Sequence, residues 1–236
     1  MKAFRICVTA VSIVVEQTIV CAVALAPSVF VWRAALDAAH VDSVSHPVVI
    51  SLLIVPSYVL FALCLMPVSA ATTWMTGART PQRMTVPIAD MSWPLMRWVH
   101  YMTATHIVRL FAGTLFRGSP MWTAYVRMNG ARIGRHVYIN TLSIADHNLL
   151  EIGDDVVIGA DVHISGHTVE GGVLKTAPVR VGSKVMIGVG SVIDIDVDIG
   201  SDCQLGALTF VPKHSRLAAH AIYVGIPARH LGELSM

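Results

Sequence analysis

An aliphatic residue returns at every sixth position through the C-terminal half of the chain, and this period restricts the fold strongly. The series has twelve members in three blocks: Ile133, Ile139, Ile152, Ile158, Ile164, Val181, Ile187, Ile193, Ile199, Leu205, Val211 and Leu217. A period of six does not match an α-helix, whose faces repeat near 3.6 residues. It suits a coil with three short sides, each of which points one aliphatic residue inward, while stacked coils share backbone hydrogen bonds. We therefore predict a solenoid domain over residues 131–236.

Small residues accompany the period at fixed offsets. Glycine or an acid usually follows the aliphatic position, as at Gly134, Gly153 and Gly182, and a small or β-branched residue stands four places after it. We predict that these glycines supply the positive φ of a tight corner between two sides of the coil. Cys203 occupies one of the small-residue positions, which indicates a structural role for its thiol.

This pattern resembles the hexapeptide-repeat acyltransferases. The ending Tyr223–Arg229 (YVGIPAR) is similar to the motif that closes the coil in that family, and the resemblance covers residues 131–231. It implies a left-handed parallel β-helix, a hand that departs from the usual right-handed crossover. It also implies transfer of an acyl group from acyl-CoA, acetyl-CoA in particular, to a hydroxyl or amine, and a C3 homotrimer.

A narrower resemblance covers the spans, the linker and the start of the coil. Two apolar spans, a basic linker and the segment IADHNLLEIGDDVVIGADVHISGH are similar to the C-terminal membrane domains of poly-lysine-synthetase-type nonribosomal peptide synthetases. This implies an alternative: an aminoacyl or peptide-bond-forming transferase that takes thioesters from a carrier protein or from such a synthetase. A further alternative is a non-catalytic membrane scaffold that uses the coil only to trimerise.

Two apolar stretches, residues 6–32 and 47–71, precede the repeat. Each exceeds the ~20 residues that cross a bilayer as helix, and only 14% of the chain is charged, against about 25% in soluble domains. We predict a transmembrane helical hairpin over residues 1–74. An uncleaved anchor is favoured over a signal peptide, because Pro27 would follow the cleavage site. Glu16, inside the first span, is expected to face a partner helix or a cavity.

Basic residues are concentrated in the N-terminal half. Residues 1–135 carry a net charge of +7 and the remainder −5, and eight arginines fall within residues 75–135. A basic segment beside apolar spans usually faces the anionic cytoplasmic leaflet, and its apolar spacing argues against nucleic acid. By the positive-inside rule the N-terminus and the coil are cytoplasmic, and the loop of residues 33–46 is external.

Residues 75–130 are expected to form a basic juxtamembrane linker. Within it, residues 91–117 are apolar but are interrupted by Arg97, His100, His106 and Arg109. A third span with these charges would be costly. We predict instead a helix lying in the membrane interface, with Trp93, Trp98 and Tyr101 at headgroup level.

The six-residue series breaks between Ile164 and Val181, where a loop is expected to leave the coil. A long loop on a regular solenoid is typical of a functional element. The resemblance to the acetyltransferases identifies His167 in this loop as the catalytic histidine, a general base that deprotonates the acceptor as it attacks a thioester. Two carboxylates are candidates for orienting its ring: Asp146, about one coil earlier, and the nearer Glu170.

The resemblance also implies a donor site along the coil. Gly188, Gly206 and Ala207 match the small residues that line the pantetheine groove in that family. Lys213 and Arg229 are candidates for the phosphates of coenzyme A.

A zinc site is the alternative for the histidines. His147, His163 and His167 have ligand-like spacing, but the paired-histidine motif of hexapeptide carbonic anhydrases is not visible. The four cysteines form no CxxC pair. No metal is expected.

Overall fold

The computed structural model describes residues 1–38 and 46–233. Half of the predicted external loop, residues 39–45, lies outside the described residues, as do the last three positions of the solenoid domain. Residues 33–38 of that predicted loop are helical. The described helices are α1 (Lys2–Ala38), α2 (His46–Thr76), α3 (Trp93–Val108), α4 (Thr114–Phe116) and α5 (Pro120–Met128). A π-helical turn, Arg109–Gly113, joins α3 to α4.

The strands are short. They are β1 (Thr85–Pro87), β2 (Arg132–Ile133), β3 (Tyr138–Ile139), β4 (Leu150–Ile152), β5 (Val157–Ile158), β6 (His163–Ile164), β7 (His167–Glu170), β8 (Val173–Thr176), β9 (Val179–Val181), β10 (Met186–Ile187), β11 (Val192–Ile193), β12 (Asp198–Ile199), β13 (Gln204–Leu205), β14 (Phe210–Val211), β15 (Arg216–Leu217), β16 (Ala221–Val224) and β17 (Arg229–Glu233).

Helices α1 and α2 form a long apolar hairpin. They contain 37 and 31 residues, and both are long and apolar enough to cross a membrane. The Ser28 hydroxyl donates to the Ser57 carbonyl oxygen at 2.9 Å and links the two helices. Large apolar side chains such as Val14 and Leu52 remain exposed around the hairpin.

Helix α3 packs against both helices of the hairpin. The Glu16 carboxylate lies 2.9 Å from Nδ1 of His100 on α3, so the acid of the first apolar stretch does face a partner helix. The prediction of three aromatic residues at headgroup level was wrong for two of them. Tyr101 is fully buried, and the Trp98 indole points to the coil, whereas Trp93 is exposed. The reason is that α3 contacts protein on two sides.

Three parallel ladders build the C-terminal half. The first contains β2, β4, β9, β12 and β15; the second β3, β5, β10, β13 and β16, with β17 added antiparallel; the third β6, β11 and β14. Partner residues such as Ile187 and Leu205 are 18 positions apart, which is three six-residue sides. The aliphatic members of the series form the core, because Ile158, Ile187 and Leu205 are almost completely buried.

The glycines of the repeat have a different role from the one predicted. Positive φ occurs two positions after them, at residues such as Asp155 and Lys184, while Gly153 and Gly182 do not have it. A Cβ on Gly182 would lie 2.6 Å from the backbone nitrogen of Ser201 in the next coil. These glycines are therefore required by the close approach of stacked coils rather than by corner geometry.

Two edges of the coil matter for the site. The arm edge, where the chain passes from the third ladder to the first, contains residues 145–149, 165–178, 194–197 and 212–215. The ridge edge, where it passes from the second ladder to the third, contains residues 159–162, 188–191 and 206–209. The third ladder separates them.

Candidate active site

The break in the repeat is a β-hairpin rather than an irregular loop. Strands β7 and β8 pair antiparallel and project from the arm edge; we call this hairpin the arm. Strand β1 of the linker adds to β8 as a third strand. Gly171 and Gly172 both have positive φ at the turn, as a two-residue hairpin requires. A Gly–Gly pair between two short runs of strand-forming residues is the sequence feature that indicates a hairpin, rather than a loop, at this position.

His167 begins the arm and contacts Asp146. Its Nδ1 lies 2.5 Å from Oδ2 of Asp146, whose side chain is 0% exposed, while the histidine side chain is 21% exposed. The Ser165 hydroxyl oxygen is 3.1 Å from the same ring nitrogen. A carboxylate on Nδ1 favours the tautomer with the proton there, which leaves the lone pair of Nε2 for chemistry.

Asp146 occupies a corner of the coil with φ of +53°. Aspartate tolerates this left-handed conformation better than most residues. The corner directs its carboxylate toward the arm that follows one coil later, and this places it beside His167.

Two further residues, which the sequence did not indicate, reach the same carboxylate. The Thr80 hydroxyl donates to Oδ1 of Asp146 at 2.5 Å, and Nε1 of Trp98 donates to Oδ1 at 3.2 Å. The Trp98 ring also meets the His167 ring edge to face, with centroids 4.9 Å apart. No repeat or motif connects these residues to the coil, because they come from the linker and from α3.

Glu170 lies at the far end of β7 and pairs with lysines. Its carboxylate contacts the ammonium groups of Lys213 and, at 3.3 Å, of Lys175. Hydrogen bonds from Lys213 and Lys175 lower the pKa of Glu170. The structure thus brings Asp146, and not Glu170, to the His167 ring. The Lys213 ammonium, a candidate phosphate ligand, is engaged by Glu170.

The candidate donor-site residues lie elsewhere on the coil. Gly188, Gly206 and Ala207 stack at the ridge edge, where a Cβ on Gly188 would lie 2.5 Å from the Ala207 nitrogen. Within one chain the third ladder separates them from His167. Arg229 is exposed on β17.

Apolar side chains project beside these small residues. Val189, Leu208 and Ile226 are 53%, 67% and 77% exposed. Leu208 also has φ of +58°, a conformation that costs a bulky residue energy. We call these three residues the apolar ridge.

The other histidines of the zinc alternative do not join His167 in a metal site. Within residues 1–38 and 46–233, no three His, Cys, Asp or Glu side chains converge as metal ligands. His163 is on β6 with an exposed side chain. His147 is fully buried beside the rings of Tyr101 and Tyr125. Burial, and then the charge of Arg109, lower the pKa of His147 to about 4.

Comparison with known proteins supports the resemblance described above. No family model matches the chain. Delta-poly-L-ornithine synthetase of Acinetobacter baumannii is 31% identical over 112 residues, which cover 48% of this chain and 8% of that protein. Galactoside O-acetyltransferase of Escherichia coli is 33% identical over 124 residues, which cover 49% of this chain and 59% of that protein.

One solved structure, a hexapeptide-repeat-containing acetyltransferase of Vibrio cholerae complexed with acetyl coenzyme A, is 26% identical with a TM-score of 0.42. The match covers 45% of this chain and 62% of that one. This chain spans less than two thirds of each of these proteins. The similarity to hexapeptide-repeat acetyltransferases and to an amino-acid polymer synthetase, predicted from the sequence, is confirmed.

Proposed function

We propose that this chain is a membrane-anchored acyltransferase that moves an acyl group from acyl-CoA to a hydroxyl or amine, with His167 as general base. The observation that carries the proposal is the 2.5 Å contact between His167 Nδ1 and Asp146 Oδ2, on an arm that projects from the coil. The similarity of the coil to a galactoside O-acetyltransferase supports this class of reaction.

The dyad suits acyl transfer to a nucleophile. Asp146 holds the proton on Nδ1, and Nε2 takes the proton of the acceptor O–H or N–H as that atom attacks the thioester carbonyl. A tetrahedral intermediate forms and collapses, the C–S bond breaks, and the proton passes from Nε2 to the departing thiolate. The products are the acylated acceptor and free CoA thiol, and the base returns to its starting state.

The donor would bind at the ridge edge, in a groove lined by Gly188, Gly206 and Ala207. We take the coil to be a left-handed parallel β-helix, as in the relatives that it resembles, and the protein to be a homotrimer. The separation of the His167 edge from the ridge edge supports a site shared by two chains. The apolar ridge supports coverage by a neighbour, because exposed apolar clusters usually mark interaction surfaces.

The hairpin of α1 and α2 would anchor each chain in the bilayer lipid. Lys2 and Arg5 before the first span, with Arg79 and Arg83 after the second, favour a cytoplasmic N-terminus and coil. This orientation gives the site access to the cytoplasmic pool of acyl-CoA.

A second candidate is aminoacyl transfer from a carrier-bound thioester. It is favoured by the 31% identity to Delta-poly-L-ornithine synthetase. The same dyad would then deprotonate an amine, and a carrier protein or synthetase would deliver the thioester.

The deciding experiment supplies membranes containing the chain with two labelled donors in separate reactions, acetyl-CoA and ornithine thioester on a carrier protein. Mass spectrometry identifies the acylated products. We expect His167→Ala to lower product formation about 10²–10⁴-fold, the usual contribution of a general base. The control is His136→Ala, an exposed histidine on another corner of the coil, which should keep full activity.

The outcomes separate the candidates. Product only from acetyl-CoA supports the acyl-CoA enzyme, and product only from the carrier thioester supports the alternative. Equal product from His167→Ala and the unaltered chain would remove His167 from the mechanism. No product from either donor would leave the trimeric scaffold as the better interpretation.

A further inference from the structure

Three elements that are distant in sequence donate to the single carboxylate of Asp146. His167 comes from the arm, Thr80 from the segment after α2, and Trp98 from α3. The Asp146 side chain is completely buried. A buried carboxylate needs several donors, and here the linker supplies two of the three side-chain donors.

The distribution of these donors over the two oxygens has a geometric consequence. Thr80 and Trp98 both bind Oδ1, whereas His167 binds Oδ2. Two donors on one oxygen prevent the carboxylate from rotating about its Cβ–Cγ bond, so Oδ2 stays directed at the imidazole. The Trp98 ring restrains the imidazole itself from a second side through the edge-to-face contact.

Thr80 is in turn held against the coil. The Asn148 side-chain amide donates to the Thr80 carbonyl oxygen at 2.8 Å and accepts from the Thr80 nitrogen at 3.3 Å. An ionised carboxylate could not donate to the Thr80 carbonyl, because it only accepts hydrogen bonds. The amide of Asn148 thus suits a site that binds the linker backbone.

We infer that Thr80 and Trp98 are positioning residues for the general base, so that the linker docked on the arm edge completes the active site. The inference rests on the proposed function of His167. Neither residue is assigned contact with the reacting atoms; both act through Asp146, and Trp98 also acts through the imidazole ring.

The test uses the full-length chain with Thr80→Val and Trp98→Phe, which remove one donor each. Because 1 Å of misplacement can cost about 10²-fold in rate, we expect kcat to fall about 10–100-fold while KM for the donor changes less than about 3-fold. Thr80→Ser should restore most of the rate, because it keeps the hydroxyl. Trp93→Phe, an exposed tryptophan on the same helix, is the matched control and should behave like the unaltered chain.

A pH profile separates positioning from general loss of structure. With fewer donors, the Asp146 carboxylate stabilises the imidazolium of His167 more strongly. The acid limb of the kcat/KM profile should therefore move to higher pH in Thr80→Val and Trp98→Phe. In an Asp146→Ala background Thr80→Val should have less than about 3-fold effect, since Thr80 acts only through Asp146 and residues that act through one group are not additive. Full additivity there would overturn the inference.

A readout without catalysis keeps this inference distinct from the proposed function. Carbethoxylation of His167 by diethyl pyrocarbonate can be followed by peptide mass spectrometry, with exposed His136 as internal reference. We expect the pH midpoint of His167 modification to rise in Thr80→Val and Trp98→Phe and not in Thr80→Ser. If the unaltered chain transfers no acyl group and the midpoint still moves, only the proposed function fails. An unmoved midpoint in both variants overturns the positioning role.

Discussion

His147 makes the fold sensitive to acid. Its imidazole is fully buried between the rings of Tyr101 and Tyr125, and neither ring nitrogen has a hydrogen-bond partner among the described residues. Burial and the charge of Arg109 lower its pKa from 6.5 to about 4. In the unfolded chain the ring regains its ordinary pKa, so between pH 6.5 and 4 the unfolded state binds the extra proton. Stability is therefore intact above pH 6.5 and is lost as the pH falls toward 4.

The size of this loss follows from the pKa difference. One pKa unit corresponds to about 1.4 kcal/mol, so the full penalty below pH 4 is about 3 kcal/mol and the penalty at pH 5 is about 2 kcal/mol. His147→Phe removes the titrating group and keeps an aromatic ring against the two tyrosines. For a chain of this length, 2 kcal/mol shifts the midpoint of thermal unfolding by about 4–8 °C.

The assay is thermal unfolding of the detergent-solubilised chain, followed by tryptophan fluorescence at pH 7.5 and pH 5. We expect the midpoint of His147→Phe to fall about 4–8 °C less than that of the unaltered chain. His136→Phe is the control, because His136 is exposed on the coil, and its acid response should match the unaltered chain. Equal acid responses of His147→Phe and the unaltered chain would refute the assignment of the penalty to His147.

Three other outcomes follow from the fold and the proposed assembly. Gly182→Ala should lower the free energy of unfolding by about 1–3 kcal/mol, because its Cβ would meet backbone of the next coil, whereas Gly232→Ala, with open space, should be near neutral in denaturant titrations. On a cysteine-free background, an impermeant thiol reagent should label Asp37→Cys but not Ala207→Cys in intact cells; the reverse pattern contradicts the orientation. Mixed oligomers of inactive His167→Ala and inactive Ala207→Trp chains should recover part of the activity, and no recovery despite proven mixing argues against a shared site.

The sequence predicted the coil well because the restraint is local and repeated. Each inward position of the series needs an aliphatic side chain, so Ile158, Ile187 and Leu205 could be placed in one core without any knowledge of the rest. The sequence located the glycines of the repeat correctly, but it predicted positive φ for them, whereas they permit the close approach of stacked coils. One sequence cannot distinguish a glycine needed for positive φ from one needed for close approach, because only the position of the neighbouring coil decides between them.

The site was predictable only in the part that lies on the coil. The spacing of one coil suggested Asp146 beside His167, and the structure brings them together. Thr80 and Trp98 precede Asp146 by 66 and 48 residues and follow no period. Their placement depends on how α3 and the linker pack, which no local pattern encodes. The same packing explains why Tyr101 is buried and the half-buried Trp98 directs its indole N–H at Asp146, although the sequence predicts both at the membrane interface.

The two hydrogen-bond donors that the linker supplies to Asp146 give the linker a role beyond that of a connector. A bare coil carries Asp146 and the arm with His167, but it leaves Oδ1 of a buried carboxylate without the donors of Thr80 and Trp98. On the bare coil this oxygen would accept from water instead, and the carboxylate would be free to rotate away from His167. The general base would then lose the partner that orients it. Because the linker continues directly from α2 and α3 packs on the hairpin, the proposed chemistry depends on the same packing that would place the coil at the membrane. Loss of the hairpin should therefore reduce catalysis and not only localisation.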